Sequence, residues 1–406
     1  MHLVAFSHLR WNFVYQRPQH LLSRLALRYP VLFVEEPMKD ASEARLEVTT
    51  PAPGITVLRP HTPVEAPGFH DDQLAAVLPL LRAYLENQGI TDYAAWFYTP
   101  MALPLIAELE PRAVIFDCMD ELSAFRDAPR QLHQRESALM KRADLVLTGG
   151  PSLYAAKRHL NPNVMCLPSA VDAAHYAPRC AAERHDLVRE AEELQAGVPG
   201  PRLGFFGVID ERLDIGLIAA LADAHPAWQI VMVGPVVKID PASLPQRPNI
   251  AWLGQQPYAL LPQLVRSWDV CLLPFALNEA TRFISPTKTL EYMAAEKPVV
   301  STAVHDVVEL YGDLVRIGRD AASFIDACAD ALDETANEHE ARVGRMNERV
   351  AMYSWDRTAE TIVRAIGDVV RPVPVQAANT ALEPVQAIVA QRPAAGGAAL
   401  AVAKTI

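Results

Sequence analysis

Lys288 and Glu291 stand three residues apart in "SPTKTLEYMAAEKPVVST" (285–302), a segment otherwise suited to packing. Ser285 can cap a helix here, and Pro286 suits a first helical position because its missing N–H costs nothing there. Leu290, Met293 and Ala294 fall at helical spacing, and 298–302 reads as a short core strand. The start of such a helix presents unpaired N–H groups, around Ser285 and Thr287, and a partial positive charge that seats phosphate oxygens. Lys288 in the first turn opposes the helix dipole unless an anion is bound. Glu291 lies on the same side, where a carboxylate can accept hydrogen bonds from the two adjacent hydroxyls of a ribose. Phosphate at the tip and ribose one turn in describe a nucleoside diphosphate. The plainer reading is a surface Lys–Glu pair worth about 0.2–0.5 kcal/mol, and spacing alone leaves both open.

A second basic candidate is Arg212 in "GFFGVIDERLD". Gly207 closes an apolar strand and lets the backbone approach a ligand, while an arginine fork matches diphosphate oxygens. The alternative is an arginine that is solvated or paired with Glu211 or Asp214.

These residues need a scaffold, and the chain supplies a repeating one. Apolar runs at 2–7, 31–35, 55–59, 95–98, 113–117, 144–148 and 164–167 alternate with helical patterns at 19–28, 71–87, 101–109, 129–141 and 152–159. That rhythm predicts parallel strands with crossover helices. After a charged helical stretch and "VPGPR" it restarts, with strands at 202–209, 228–233, 250–253, 270–274 and 298–301. Helices are predicted at 214–224, 258–267, 286–295 and 321–335, followed by 338–352 and 356–368. The expected organisation is a first domain at 1–177, a linker at 178–200, a second domain at 201–352 and a crossover helix at 353–370. The Ala/Pro-biased stretch 371–406 reads as a disordered tail. Two doubly wound α/β domains place a ligand beyond the carboxyl ends of their strands, in the cleft between them.

Composition narrows the function. A net charge of −11 over 406 residues argues against general nucleic-acid affinity. The five cysteines, Cys118, Cys166, Cys180, Cys271 and Cys328, show no metal-ligand or redox spacing and read as reduced thiols of a cytosolic protein. The opening "HLVAFS" has no basic n-region, and no long apolar run follows, so neither a signal peptide nor a membrane span is expected. "FSHLRW" after the first strand is not a GxGxxG turn, which disfavours a nicotinamide dehydrogenase.

The segment 285–302 resembles the donor site of the GT-B glycosyltransferases, particularly glycosyltransferase family 4. "ADLVLTGGPSLYAAKRHLNPNVMCLPSAVDAAHYAP" (143–178), "FFGVIDERLD" (205–214), "NIAWLGQQPYALLPQLVRSWDVCLLPF" (249–275) and "YSWDRTAETI" (353–362) fall in the order of that family. The N-terminal "FSHLRWNFVYQRPQHLLSRLA" resembles a bacterial subgroup of surface-polysaccharide synthesis. The resemblance implies two Rossmann-like domains facing a cleft, with a C-terminal helix returning to the first. It implies a nucleotide-sugar donor, UDP- or GDP-linked, with Glu291 on the ribose and Arg212 and Lys288 on the diphosphate. The base would lie near Gly254, Gln255 and Gln256. The family's Glu-x7-Glu motif lacks its first glutamate here, where Phe283 stands, and Asn278 or Glu279 are the substitutes at hand. The glycine common after the donor helix is replaced by Glu296.

On the acceptor side, Asp117 and Asp120 end a strand in "VIFDCMDELSAF" and can bind or polarise an acceptor hydroxyl, unless Asp120 caps a helix. His8 ends the first strand, and Arg17 and His20 can bind an acceptor phosphate or carboxylate. For His20 a packed helix residue is the plainer reading. The implied reaction moves a sugar to a saccharide or lipid-linked saccharide in the cytoplasm, with retention and without a metal or cofactor. Peripheral contact at the inner membrane face is an accompanying expectation. The rivals are an epimerase or hydrolase on the same fold, and a non-catalytic nucleotide-sugar-binding partner.

Overall fold

The computed structural model describes residues 1–179 and 184–370. The expected tail at 371–406 and Cys180 lie outside the described residues. Two parallel sheets make the frame. The first comprises β1 (His2–Ser7), β2 (Val31–Glu35), β3 (Arg45–Ala52), β4 (Ile55–His61), β5 (Tyr93–Phe97), β6 (Val114–Cys118), β7 (Leu145–Thr148) and β8 (Val164–Cys166). Their order is β3-β4-β2-β1-β5-β6-β7-β8, parallel apart from the β3–β4 hairpin. The second comprises β9 (Arg202–Phe206), β10 (Gln229–Val233), β11 (Ile250–Trp252), β12 (Val270–Leu273), β13 (Val299–Thr302) and β14 (Arg316–Gly318), in the order β11-β10-β9-β12-β13-β14. Strand order reverses beside β1 and beside β9, the two places where a doubly wound sheet opens a crevice.

The central strands are short continuous apolar runs because helices cover both faces. Leu3, Val4, Ala5 and Phe6 of β1 are all buried, as are Leu203, Phe205 and Phe206 of β9. Three elements escape the sequence pattern. β3 is a largely exposed edge strand that includes Pro51, β14 is three residues long, and the helix His305–Tyr311 is only two turns. The helix expected at 101–109 is a 3-10 segment, Pro100–Ala107, with Pro104 inside it. A proline there removes a helical N–H and crowds the preceding turn, which favours the tighter, shorter form.

The helix Trp355–Val369 returns to the first sheet. Ser354 caps it by accepting from the Asp356 N–H at 3.2 Å. Trp355, Ala359, Ile362, Ala365 and Ile366 form one buried stripe against Leu21, Leu22 and Leu25 of the helix Arg17–Leu25. Burying each isoleucine contributes about 1.5–3 kcal/mol. Among the described residues no helix is long and apolar enough to cross a membrane.

Arg17 and Asp117 lock the start of that first helix to the end of β6. Arg17 Nη2 lies 2.9 Å from Asp117 Oδ1, its Nε donates to the same carboxylate at 3.0 Å, and its Nη1 donates to the Leu167 carbonyl at 2.9 Å. Both side chains are buried, so removing one leaves an uncompensated charge. Arg17→Met is expected to lower unfolding free energy by about 3–5 kcal/mol, and the double variant Arg17→Met/Asp117→Leu to recover most of it. Urea denaturation of the three proteins checks this; a single variant as stable as the parent would refute it.

Candidate active site

The carboxyl ends of the two sheets enclose a cavity of about 770 Å³. From the second domain Gly207, Arg212, Ser285, Thr287, Lys288 and Glu291 line it, and from the first Trp11, Phe13, Arg17, Asp120 and Ser169. A further cavity of about 680 Å³ lies at the opposite, amino ends of the second sheet, near Pro201, Asp269 and Pro298, away from these groups.

The regular helix begins at Lys288 rather than at 286, and Thr287 occupies the cap position without a side-chain cap bond. A tight turn precedes it, in which the Thr289 N–H donates to the Pro286 carbonyl at 3.2 Å. Ser285 does not cap because it belongs to the seam between domains: its carbonyl accepts from Ser169 Oγ at 3.2 Å, and Thr287 Oγ1 meets the same hydroxyl at 3.3 Å. Among the described residues the N–H groups of Thr287 and Lys288 have no acceptor.

Lys288 lies across Gly207, where a methyl group would come 2.1 Å from its Cε. Gly207 has φ +146°, so both its conformation and its missing side chain are used. The ammonium sits 5.9 Å from the Phe206 ring centroid and has no hydrogen bond or ion pair among the described residues. Burial pushes its pKa down, while Glu291, Asp210 and Asp120 act to raise it. An anion brought here would find a cation already desolvated and unneutralised.

Arg212 is paired, but with Asp210 rather than Glu211 or Asp214. Its Nε and Nη2 reach that carboxylate at 2.9 and 2.7 Å. Asp214 instead caps the helix Ile215–Ala224, accepting from the Leu217 N–H at 2.8 Å. The guanidinium also stands 5.5 Å from the Phe125 ring of the first domain, whose loop is tied down by Arg126 N–H donating to Glu211 Oε1 at 3.2 Å.

Glu291 is buried, and its Oε1 accepts from Tyr176 OH at 3.2 Å. Burial pushes its carboxyl up to about 7, against the opposing pull of Lys288 and Tyr176. Tyr176, on the short helix Ala173–Tyr176 between the domains, was invisible to spacing arguments; a tyrosine in "DAAHYAP" carries no pattern.

Asp120 lines the first-domain wall, and burial raises its carboxyl to about 6, against Arg212 and Arg17. Of the other acceptor-side candidates, Arg17 reaches the cavity wall but is engaged by Asp117, while Asp117, His8 and His20 do not line it. Asp117 is buried and engaged by Arg17, so the pair serves the fold and neither side chain is free for an acceptor anion. His20 stacks on Trp355 at 4.9 Å and meets Tyr15 and Tyr258 edge-on; burial holds it neutral, with a pKa down to about 3. His8 lies off the wall, neutral for the same reason, at about 4.

Asn278 and Glu279 do not reach the cavity either. Asn278 caps a 3-10 turn, accepting from Thr281 N–H at 3.1 Å and donating to the Glu211 carbonyl at 3.1 Å. Glu279 is exposed and pairs with Arg282 at 3.7 Å. Phe283 packs against the core of the first domain. Gln255 lines the cavity and donates to the Phe13 carbonyl across the cleft at 2.5 Å.

Residues 200–334, which carry Gly207, Arg212, Lys288 and Glu291, match the family of glycosyl transferases group 1. A putative teichuronic acid biosynthesis glycosyltransferase of Bacillus subtilis is 26% identical over 287 residues, spanning 66% of this chain and 72% of that protein. The chain is a glycosyltransferase of the GT-B fold. Solved structures agree on architecture at low identity. The Escherichia coli trehalose-6-phosphate structure bound with UDP-2-fluoro glucose superposes with a TM-score of 0.66 at 15% identity, covering 92% of this chain and 100% of that one. Sucrose-phosphate synthase from Thermosynechococcus elongatus gives 0.67 at 16%, covering 91% and 99%.

Ionised Glu291 accepts from hydroxyls, whereas its protonated form loses one acceptor, so ligand binding favours the carboxylate. Without ligand, the raised pKa of Glu291 contributes stability that is lost as pH rises from about 4.5 to 7. A nucleoside diphosphate whose ribose met Glu291 would show the opposite trend, binding about tenfold more weakly at pH 6 than at pH 8. Titration calorimetry on the wild type and on Glu291→Gln checks this. The variant should show only the nucleotide's own pH dependence, and identical profiles would remove Glu291 from the ribose.

Proposed function

We propose that this glycosyltransferase moves a hexosyl group from a UDP- or GDP-sugar to a hydroxyl of a saccharide or lipid-linked saccharide in surface-polysaccharide synthesis. The observation that carries the donor assignment is the Lys288 ammonium in the cavity, without an ion-pair partner among the described residues, one turn before the buried Glu291 carboxylate. Together they fit a phosphate and a ribose at the spacing of a nucleoside diphosphate.

As the bond between sugar C1 and the diphosphate oxygen breaks, negative charge grows on the departing phosphate. Lys288, Arg212 and the free N–H groups of Thr287 and Lys288 stabilise that charge more in the transition state than in the ground state. The acceptor oxygen forms the new bond to C1, and its proton leaves with the departing phosphate. Asp120, on the first-domain wall, orients the acceptor hydroxyl. Retention and metal independence rest on the family likeness alone. The free thiols Cys118, Cys166, Cys271 and Cys328 suit a cytoplasmic enzyme. A lipid-linked acceptor would bring it to the inner face of the membrane.

Thermal stabilisation by UDP, GDP, ADP, CMP and dTDP tests the reading. UDP or GDP should stabilise the wild type, and Lys288→Ala and Glu291→Ala should each diminish the shift. With the matching sugar donor, Lys288→Ala should lower kcat by about 10²–10³. Undiminished turnover in that variant would sink the assignment.

A further inference from the structure

The wall facing the donor residues differs from them in charge, and this bears on the acceptor. Of the first-domain residues lining the cavity, only Arg17 and Asp120 are ionisable cations or carboxylates. Arg17 is neutralised by Asp117 at 2.9 Å and by the Leu167 carbonyl. The neighbouring first-domain cations are spent in the same way. Arg10 pairs with the buried Glu35 at 3.1 Å, Arg59 with Glu35 and Glu47 at 2.7 and 3.3 Å, and Lys157 is held between Glu121 and Glu136, at 2.5 and 2.7 Å. His8 and His20 are held uncharged by burial. The net charge left on this wall is the Asp120 carboxylate.

The rest of the wall is aromatic and neutral-polar. Trp11 is nearly buried, whereas Phe13 is 39% exposed, and Asn12 and Gln16 stand beside them. The loop that carries these residues is fixed from the other domain: Gln255 holds the Phe13 carbonyl, and the Tyr15 ring stacks on Tyr258 at 4.4 Å. An aromatic face in a fixed position receives the apolar face of a pyranose ring, while amides and a carboxylate take its hydroxyls.

We infer that the acceptor unit entering this cavity is an uncharged saccharide, bearing neither phosphate nor carboxylate on the accepting ring. The inference rests on the glycosyltransferase reading above and adds the acceptor's chemical class to it. The fold alone does not decide the point, since a trehalose-phosphate synthase of Burkholderia xenovorans, with a TM-score of 0.65, is in complex with glucose-6-phosphate. Here a phosphate would lose its water facing Asp120, with no free first-domain cation lining the cavity among the described residues to replace it.

The test uses the full chain loaded with whichever of UDP or GDP stabilises it. Methyl glucoside, methyl galactoside and methyl N-acetylglucosaminide are compared with their 6-phosphates and with the corresponding uronates, in binding by ligand-observed NMR and in transfer from the sugar donor. The neutral probes should be favoured by about tenfold or more. The variant Asn12→Arg, which adds an unpaired guanidinium to an exposed position on the wall, should shift that ratio about tenfold toward the 6-phosphates. A phosphorylated or carboxylated probe preferred over its neutral parent would overturn the inference, as would a ratio unmoved by Asn12→Arg. If the nucleotide loads in a Lys288-dependent way and charged probes still win, this inference alone fails. If no nucleotide loads, the donor reading fails first.

Discussion

A lysine ammonium partly withdrawn from water, with no carboxylate within ion-pair distance among the described residues, is the constraint around which the cavity is arranged. Such a group is costly to a protein unless an anion arrives to meet it. The surroundings keep it available. Gly207 clears the space its stem occupies, and Glu291, although one turn away, is bonded to Tyr176 rather than to the ammonium. Asp210 is taken up by Arg212. Of two adjacent cations, one is therefore neutralised and fixed in place, and the other is left with its charge uncompensated.

The seam between the domains follows a different physical rule. Ser169 to Ser285, Asp306 to the Ser152 N–H at 3.1 Å, Gln255 to Phe13 and Arg126 to Glu211 are single polar contacts spread around the cleft. Each exchanges for water at a net cost of about 1 kcal/mol, so opening the cleft need not disturb either core. The most extensive apolar packing lies where the helix Trp355–Val369 is pressed onto the first sheet, and Phe283 adds a smaller apolar contact at the seam. His20, Tyr15, Tyr258, His175 and Trp355 meet as one ring cluster where the linker, both domains and that helix converge. Adherence by one helix and separability at the cleft suit an enzyme that must admit two substrates and then exclude water.

Most of the fold was legible because parallel strands covered on both faces must be continuous apolar runs, and β1, β2, β9 and β13 are such runs. β3 was not, since an edge strand facing water needs no apolar face. The candidate site was legible where a residue's type conflicted with its setting: a lysine at a helix start and a glutamate on a packing helix. It was illegible where partners are distant in sequence. Nothing near Asp117 in the chain points to Arg17, a hundred residues earlier. Nothing near Glu291 points to Tyr176. Arg212 was a closer failure: Glu211 and Asp214 were the partners weighed, and the loop instead folds Asp210, two residues back, onto the guanidinium while Asp214 caps the next helix.

Phe283 shows how the two walls acquired separate characters. At this position the family resemblance calls for a glutamate near the transferred sugar, and Asn278 and Glu279 do not restore it, since one braces the loop to Glu211 and the other faces solvent. The phenylalanine instead packs into the first domain's core, with the Arg282 guanidinium 5.1 Å from its ring. A half-buried aromatic at the seam contributes apolar area where a glutamate would have to be solvated or paired. That exchange removes one carboxylate from the donor side and strengthens contact between the domains. Recognition of a sugar would then fall to groups that remain on the cavity, and among them Asp120 reaches in from the opposite domain.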